Sequence, residues 1–323
     1  MAEPVLALDI GGTKLAAGVI APTGEALGED RDATDPAASP AEILEALFEL
    51  GDASIGRAGV KWRELGAVGV SFGGPVDYPQ GRTVTCHHLP GWEGVPLRDL
   101  ISERAGLPVV MDNDANAAAL GEATFGAARG CEHVLYLTVS TGIGGGLVLG
   151  GRVYRGANSM AGEIGHILVA PDGPECTCGR RGCLEAVAAG PSIARAAREA
   201  IESGETSALQ EVPPEELTAK HVAEAAASDA LAARIMAQAG EYLGLGISGA
   251  VNLINPQIVV IGGGVAEAGE ILLGPVRESV QRHAVPESVR DLRIAAGELR
   301  ERGGLLGAAA LALTETIQPQ GAR

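Results

Sequence analysis

Short apolar runs punctuated by glycine set the pattern of this chain. Residues 5–9 and 15–20 are apolar and flank Gly11-Gly12-Thr13-Lys14, and Pro22-Thr23-Gly24 closes the second run, which predicts two antiparallel strands joined by a glycine turn. Ser39-Pro40-Ala41-Glu42 reads as a capping box with proline in the first helical turn, and Ile43, Leu44, Leu47 and Leu50 give the helix it opens an apolar stripe. A buried strand is expected over 67–72. Residues 73–96, rich in glycine, proline and histidine, form a loop too long for a mere connection, and so a candidate binding segment. A helix over about 97–105 and a strand over about 108–111 lead to Asp112-Asn113-Asp114, with an alanine-rich helix from about residue 115.

The opening pattern returns at mid-chain. A strand over 134–139, the turn Ser140-Thr141-Gly142-Ile143-Gly144-Gly145-Gly146 and a strand over 147–149 repeat it, so one half of the molecule echoes the other. Helices are expected over about 190–203, 217–228 and 230–254, then a buried strand over 258–261. Gly262-Gly263-Gly264 turns into a further helix, and a strand over 292–296 and a helix over about 304–315 close the chain. No low-complexity linker divides it. The expected organisation is a small α/β domain over 1–115, with a C-terminal helix at about 303–323 packing back on it. A large α/β domain over 116–302 carries a metal-like segment at 163–185.

Composition narrows the function classes. The 323 residues are 46% apolar but only 3% aromatic, with 47 glycines, so the core rests on alanine, valine, leucine and isoleucine. Aromatic stacking platforms for single-stranded nucleic acid are not expected. Lys plus Arg is 24 against 41 for Asp plus Glu, a net charge of −17 that repels phosphate backbones and anionic lipid. Neither nucleic acid nor membrane is therefore an expected partner, and any bound phosphate must be held locally, by backbone amides or one placed cation. Glu3, Asp9 and Lys14 interrupt the first twenty residues, which suits neither a signal peptide nor a membrane span; the reading is a cytoplasmic protein.

Three kinds of site emerge from the residues. Asp9 followed by Gly11, Gly12, Thr13 and Lys14 lets backbone amides approach an anion, with a carboxylate suited to phosphate carrying Mg²⁺; alone, such a turn is more often a plain hairpin. The second turn, with Thr141 and Gly142, strengthens the phosphate reading, and Gly263 and Gly264 offer a third close backbone approach, suited to a nucleoside. Neither a Walker loop nor a dinucleotide fingerprint is present. His166 with Cys176, Cys178 and Cys183 supplies one imidazole and three thiolates, enough to close a structural zinc site, the alternative being reduced free thiols. Four ligands leave no open position, which excludes a zinc hydrolase. Cys86 and Cys131 stand apart as ordinary thiols. Asp114, at a strand-to-helix junction, is either a general base or a helix cap, and Glu163 and Glu185 are either acceptors for a polyhydroxylated ligand or solvated surface acids.

Together, Asp9-Ile10-Gly11-Gly12-Thr13-Lys14, Asn113-Asp114-Ala115-Asn116-Ala117, the turn at 140–146, Glu163-Ile164-Gly165-His166 and Cys176-Thr177-Cys178-Gly179-Arg180-Arg181-Gly182-Cys183-Leu184-Glu185 resemble the ROK family of repressors, open reading frames and kinases. The resemblance implies an actin-like ATPase (ribonuclease H-like) fold, two α/β domains closing on a cleft, and ATP-dependent phosphorylation of a hexose hydroxyl. By it Asp114 is the general base; Gly74, Asn113, Asp114, Glu163, His166 and Glu185 bind the sugar; and His166, Cys176, Cys178 and Cys183 hold structural Zn²⁺. Asp9, Gly11, Gly12, Thr13, Lys14, Thr141 and Gly142 hold the phosphates of ATP with Mg²⁺, and Gly263 and Gly264 meet the adenosine. The compact cysteine segment is more similar to the glucokinase and N-acetylhexosamine kinase branches than to the fructokinase branch. The expected reaction is glucose to glucose 6-phosphate, the alternatives an N-acetylmannosamine or N-acetylglucosamine kinase or a non-catalytic sugar-sensing regulator. Family regulators carry a helix-turn-helix segment before the kinase-like body, whereas here the first strand begins at about residue 5. Assembly as a homodimer or homotetramer is expected on the same ground. Two departures bear on substrate choice: Gly73-Gly74-Pro75 stands where the family has Pro-Gly-Pro, and His88, after His87, replaces an asparagine before Leu89-Pro90-Gly91-Trp92.

Overall fold

Glycine-linked apolar hairpins open two sheets of the same construction. The computed structural model describes residues 3–86 and 89–315; His87 and His88, and 316–323 of the expected terminal helix, lie outside the described residues. One compact unit comprises Met1–Gly130, Arg152–Ala161 and Glu301–Arg323, the other Cys131–Gly151 and Gly162–Arg300.

In the first unit the sheet runs, in spatial order, Ala26–Ala33, Lys14–Ile20, Val5–Ile10, Val68–Phe72 and Val109–Asn113. The first three strands are antiparallel neighbours, and the last two run parallel to Val5–Ile10. The edge strand Ala26–Ala33 was not expected, because Glu29, Asp30, Arg31 and Asp32 give it no apolar pattern. Helix Pro40–Ala58 opens as the capping box requires: Ser39 Oγ accepts from the Glu42 amide at 3.4 Å, and Glu42 Oε2 accepts from the Ser39 amide at 2.8 Å. The long loop after Val68–Phe72 contains a short hairpin, Val76–Asp77 with Arg82–Thr83, and is pinned by fully buried Trp92, whose ring lies 5.0 Å from that of Phe72.

The expected boundary near residue 115 is corrected to 130, because helix Asp114–Phe125 belongs to the first unit. Small residues hold it there: a Cβ on Gly307 of helix Gly303–Glu315 would fall 2.3 Å from the Ala117 carbonyl oxygen, and one on Gly69 would fall 1.8 Å from that of Ala308. Backbones this close make helix and sheet one body.

The second unit repeats the plan. Ile143–Leu149 pairs antiparallel with Val134–Val139, followed by the parallel strands Ile258–Gly262 and Arg293–Ala296. Gly144, Gly145 and Gly146 lie within the strand, so the expected turn over 140–146 contracts to its first residues. Gly145 is needed there because a Cβ would meet the Gly162 carbonyl oxygen at 2.6 Å. Helix Ala230–Ile254 packs on helix Glu270–His283 through Gly240 and Gly244, a Cβ on the latter falling 2.4 Å from Ser279 Cβ. The expected helix over 217–228 is shorter, Ala219–Ala225. Among the described residues no helix is long and apolar enough to cross a membrane.

Candidate active site

In the first unit three parallel strands end in one row. Asp9 pairs in register with Ser71 and Ser71 with Asp112, and Ile10, Phe72 and Asn113 follow. The turns that leave these strands, Gly11–Lys14, Gly73-Gly74 and Asn113-Asp114, therefore share the carboxyl edge of the sheet, where α/β folds present ligand-binding groups. Thr34, a residue the sequence reading passed over, fixes the first turn: its Oγ1 donates to the Gly11 carbonyl at 2.7 Å and its amide to that of Thr13 at 3.1 Å. Both carbonyls are thus turned to partners inside the unit rather than left to repel a phosphate. Asp9 is 8% exposed, and its carboxylate abuts Gly304, where a Cβ would fall 2.4 Å from Oδ1, at the amino end of helix Gly303–Glu315. Burial raises its pKa, while Ser71 and Lys14 act against the rise. Lys14 Nζ stands 4.0 Å from Asp9 Oδ2 and donates to the Glu301 carbonyl at 2.9 Å.

Asn113 is the cap of helix Asp114–Phe125, its Oδ1 accepting from the amides of Ala115 at 3.0 Å and Asn116 at 3.4 Å. Its Nδ2 donates to the Gly74 carbonyl at 3.2 Å and to Asp114 Oδ1 at 2.9 Å. Gly74 is held close, since a Cβ there would meet the Thr85 carbonyl oxygen at 2.5 Å. Asp114 is released from capping and is solvent-accessible, with Oδ1 fixed by Asn113 and by the Ala115 amide at 2.8 Å. Crowding by protein atoms, then the neighbouring Asp9 carboxylate, raise its pKa to about 6.

Beneath the pair lies an ion network that the sequence reading did not find. Asp112 Oδ2 meets Arg155 Nε at 2.6 Å, and Arg155 Nη2 meets Glu315 Oε1 at 2.7 Å. The guanidinium lies 3.5 Å over the ring of Tyr78, whose hydroxyl donates to Glu315. Asp112 Oδ1 in turn accepts from the Asn113 amide at 2.8 Å and from Asn116 Nδ2 at 3.0 Å.

In the second unit, Thr141 and Gly264 line one cavity of about 730 Å³, together with Gly190, Arg198, Lys220 and Ile271. Arg198 braces its wall by donating to the Leu217 carbonyl at 3.1 Å. Neither Arg198 nor Lys220 carries a motif that would have marked it. Gly263 has a different part: at φ +85°, with a Cβ position 2.4 Å from the Val139 carbonyl oxygen, it lets the turn close against the first strand, while Gly264 leaves the cavity wall open. Gly142 touches Glu185, whose Oε2 would lie 2.6 Å from a Cβ and accepts from the Ile143 amide at 2.9 Å.

The four expected metal ligands converge. One donor atom from each of His166, Cys176, Cys178 and Cys183 lies within 4.8 Å of the others, with Cys178 and Cys183 sulfurs 3.6 Å apart and Cys176 Sγ 3.6 Å from His166 Nδ1. Bonds of about 2.3 Å to sulfur and 2.0–2.1 Å to nitrogen at tetrahedral angles give edges of roughly 3.5–3.8 Å, so the donor set fits Zn²⁺. Gly182, at φ +72° with a Cβ position 1.7 Å from the Ala170 carbonyl oxygen, makes the last approach possible. Burial and the neighbouring thiols push the Cys183 thiol up, the condition a cation relieves. Glu163 is exposed, its Oε2 3.9 Å from His166 Nε2. Cys86 is buried and donates to the Gly73 carbonyl, and Cys131 meets Arg293; neither joins the cluster.

Comparison with known proteins gives a consistent result. Residues 5–315 match the ROK family. A glucokinase of Thermotoga maritima is 36% identical over 95% of this chain and 96% of its own. A putative xylose repressor of Caldicellulosiruptor is 33% identical over 91% of this chain and 74% of its own. Among solved structures, a ROK hexokinase from Thermus thermophilus is similar with a TM-score of 0.81 and 37% identity, over 97% of this chain and 99% of that one. A ROK family glucokinase from Streptomyces griseus, in complex with glucose and AMPPNP, gives a TM-score of 0.79 and 34% identity over 98% and 100%. The two-sheet α/β plan is the actin-like ATPase fold of these sugar kinases.

Proposed function

The chain belongs to the ROK family, and on that premise we propose that it is an ATP-dependent hexose kinase whose preferred reaction is glucose to glucose 6-phosphate. The observation that carries the reading is Asp114: an accessible carboxylate relieved of capping, oriented by Asn113 and raised to about 6. A base with that pKa is ionised at neutral pH yet basic enough to take a proton as a hydroxyl becomes nucleophilic, work worth about 10²–10⁴ in rate. The glucokinase relatives, one of them bound to glucose and AMPPNP, support glucose as the acceptor.

The residues divide the work as follows. A sugar hydroxyl donates to Asp114; as its oxygen bonds to the γ-phosphorus of ATP, the proton passes to the carboxylate and the bond from γ-phosphorus to the β,γ-bridging oxygen breaks, releasing ADP. Gly74, Asn113, Glu163, His166 and Glu185 supply polar partners to the sugar hydroxyls. The turn of Gly11, Gly12 and Thr13, with Lys14, and the turn of Thr141 and Gly142 hold the phosphates, and the cavity beside Gly263 and Gly264 takes the nucleoside. Mg²⁺ arriving with ATP would be held near Asp9 and supplies charge neutralisation on the phosphates. His166, Cys176, Cys178 and Cys183 would hold a structural Zn²⁺, whose part would be to fix the frame that carries Glu163, His166 and Glu185. A cytoplasmic location and assembly as a homodimer or homotetramer belong to the same proposal.

Coupled ADP release with MgATP across glucose, mannose, fructose, N-acetylglucosamine and N-acetylmannosamine tests the reading. The highest kcat/KM is expected on glucose. A preference for an N-acetyl sugar moves the assignment to that kinase class, and calorimetric sugar binding without turnover on any of the five moves it to a sugar-sensing regulator.

A further inference from the structure

Glu185 is two residues beyond Cys183, on the short helix Leu184–Ala188, and both of its carboxylate oxygens are engaged inside the second unit. Oε2 accepts from the Ile143 amide at 2.9 Å, the first residue of the strand that leaves the turn of Thr141 and Gly142. Oε1 accepts from Thr177 Oγ1 at 3.2 Å, within the cysteine loop. The fit is tight, because Gly142 has no side chain: a Cβ would fall 2.6 Å from Oε2. The helix that carries Glu185 is itself anchored, its carbonyl accepting from Ser192 Oγ at 3.0 Å and from the Ala189 amide at 3.1 Å, while the next amide, Gly190, donates to the Ser140 carbonyl at 2.8 Å. The Glu163–His166 turn is locked to the same strand, since a Cβ on Gly165 would fall 2.0 Å from the Ile143 carbonyl oxygen.

We infer that Glu185 is a positioning residue for the phosphate-side turn: it ties the cysteine loop to Ser140-Thr141-Gly142, so that the order of that loop sets nucleotide affinity as well as sugar binding. This rests on the kinase reading above but goes beyond it. A carboxylate this close to a phosphate-holding turn is electrostatically unfavourable to ATP, so its presence there needs a geometric reason. The hydrogen bond to Ile143 is that reason, since it aims the strand out of the turn from a fixed point.

The opposition between charge and geometry makes the test sharp. Kd for MgAMPPNP is measured by calorimetry without sugar, Kd for glucose separately, and amide exchange of Ile143 by NMR, all on the full chain. Glu185→Gln removes the charge but keeps an oxygen for Ile143 and a donor for Thr177; Glu185→Ala removes both. We expect Glu185→Ala to speed Ile143 exchange at least about tenfold and to weaken MgAMPPNP by about two- to tenfold, the range of one net hydrogen bond. Glu185→Gln should hold Ile143 exchange within about threefold and leave MgAMPPNP as tight or tighter. Thr177→Val, outside the metal ligands, should weaken MgAMPPNP in the same direction. Tighter MgAMPPNP in both Glu185 variants, or Ile143 exchange indifferent to Glu185→Ala, overturns the inference. If the wild-type protein binds no MgAMPPNP while Ile143 still responds to Glu185→Ala, the link stands and the kinase reading falls.

Discussion

Replacing Arg155 by methionine removes the guanidinium that meets Asp112, Glu315 and the Tyr78 ring at once, and keeps most of the apolar stem. The side chains of Asp112, Arg155 and Glu315 are 1%, 14% and 18% exposed, so the pairs lie well inside the range where losing one partner strands a buried charge. Breaking such a pair costs about 3–5 kcal/mol. The cation over the Tyr78 ring is part of the same constellation and is not added separately. At about 2–4 °C per kcal/mol for a body of 150–250 residues, the midpoint should fall by roughly 6–20 °C. The cost carries a pH signature. Burial already holds the Asp112 carboxyl above the usual range, against the opposing pull of Arg155 and of the hydrogen bond from Asn116. Without Arg155 it rises further, and once protonated the group no longer needs a cation. The penalty is therefore largest at high pH and shrinks as pH falls, by up to about 1.4 kcal/mol per pH unit per proton. Urea unfolding of both proteins at pH 8 and pH 5 reads this directly, and an Asp112→Asn, Arg155→Met double variant should recover part of the loss. A difference below about 1 kcal/mol at pH 8, or a penalty that grows toward pH 5, would refute the reasoning.

Two further outcomes are expected. Because Asp114 must be unprotonated to accept the hydroxyl proton, and its pKa lies at about 6, kcat/KM for glucose should be level above that pH and fall about tenfold per unit below it; a profile flat from pH 7 to pH 5 contradicts the assignment. Zinc should be found at one per chain and be lost in Cys178→Ser, with glucose affinity weakened about 10–100-fold as Glu163, His166 and Glu185 lose their frame; undiminished glucose binding in the zinc-free variant counts against that coupling.

Some of this was legible in the residues because it is local. The capping box at Ser39, the two glycine-linked hairpins and the cysteine spacing are fixed by neighbours in sequence, and each is present, the second hairpin with a shorter turn than the glycines suggest. What was not legible depends on residues far apart in the chain. Arg155 and Glu315 reach Asp112 and Tyr78 across separations of up to 237 residues, and no motif surrounds either. The boundary moved from 115 to 130 because close contact of Gly307 with Ala117 is a matter of backbone approach, which an alanine-rich helix does not advertise. At Asp114 the sequence offers a base or a cap, and the structure gives the cap to the neighbouring Asn113. Edge strand Ala26–Ala33 escaped because its run of charges gives no apolar alternation, and Thr34 because its side chain works at Gly11, 23 residues earlier.

The measurement closest to the central claim is phosphoryl transfer by Asp114→Asn with MgATP and glucose, alongside the glucose Kd of the same variant. The carboxamide keeps the shape and an oxygen for Asn113 and Ala115 but cannot take the proton. The account predicts kcat lower by about 10²–10⁴ with glucose affinity within roughly tenfold of the wild-type value, because the base acts in the transition state rather than in binding. A kcat within tenfold of wild type, or a loss of glucose affinity as large as the loss of rate, would contradict it.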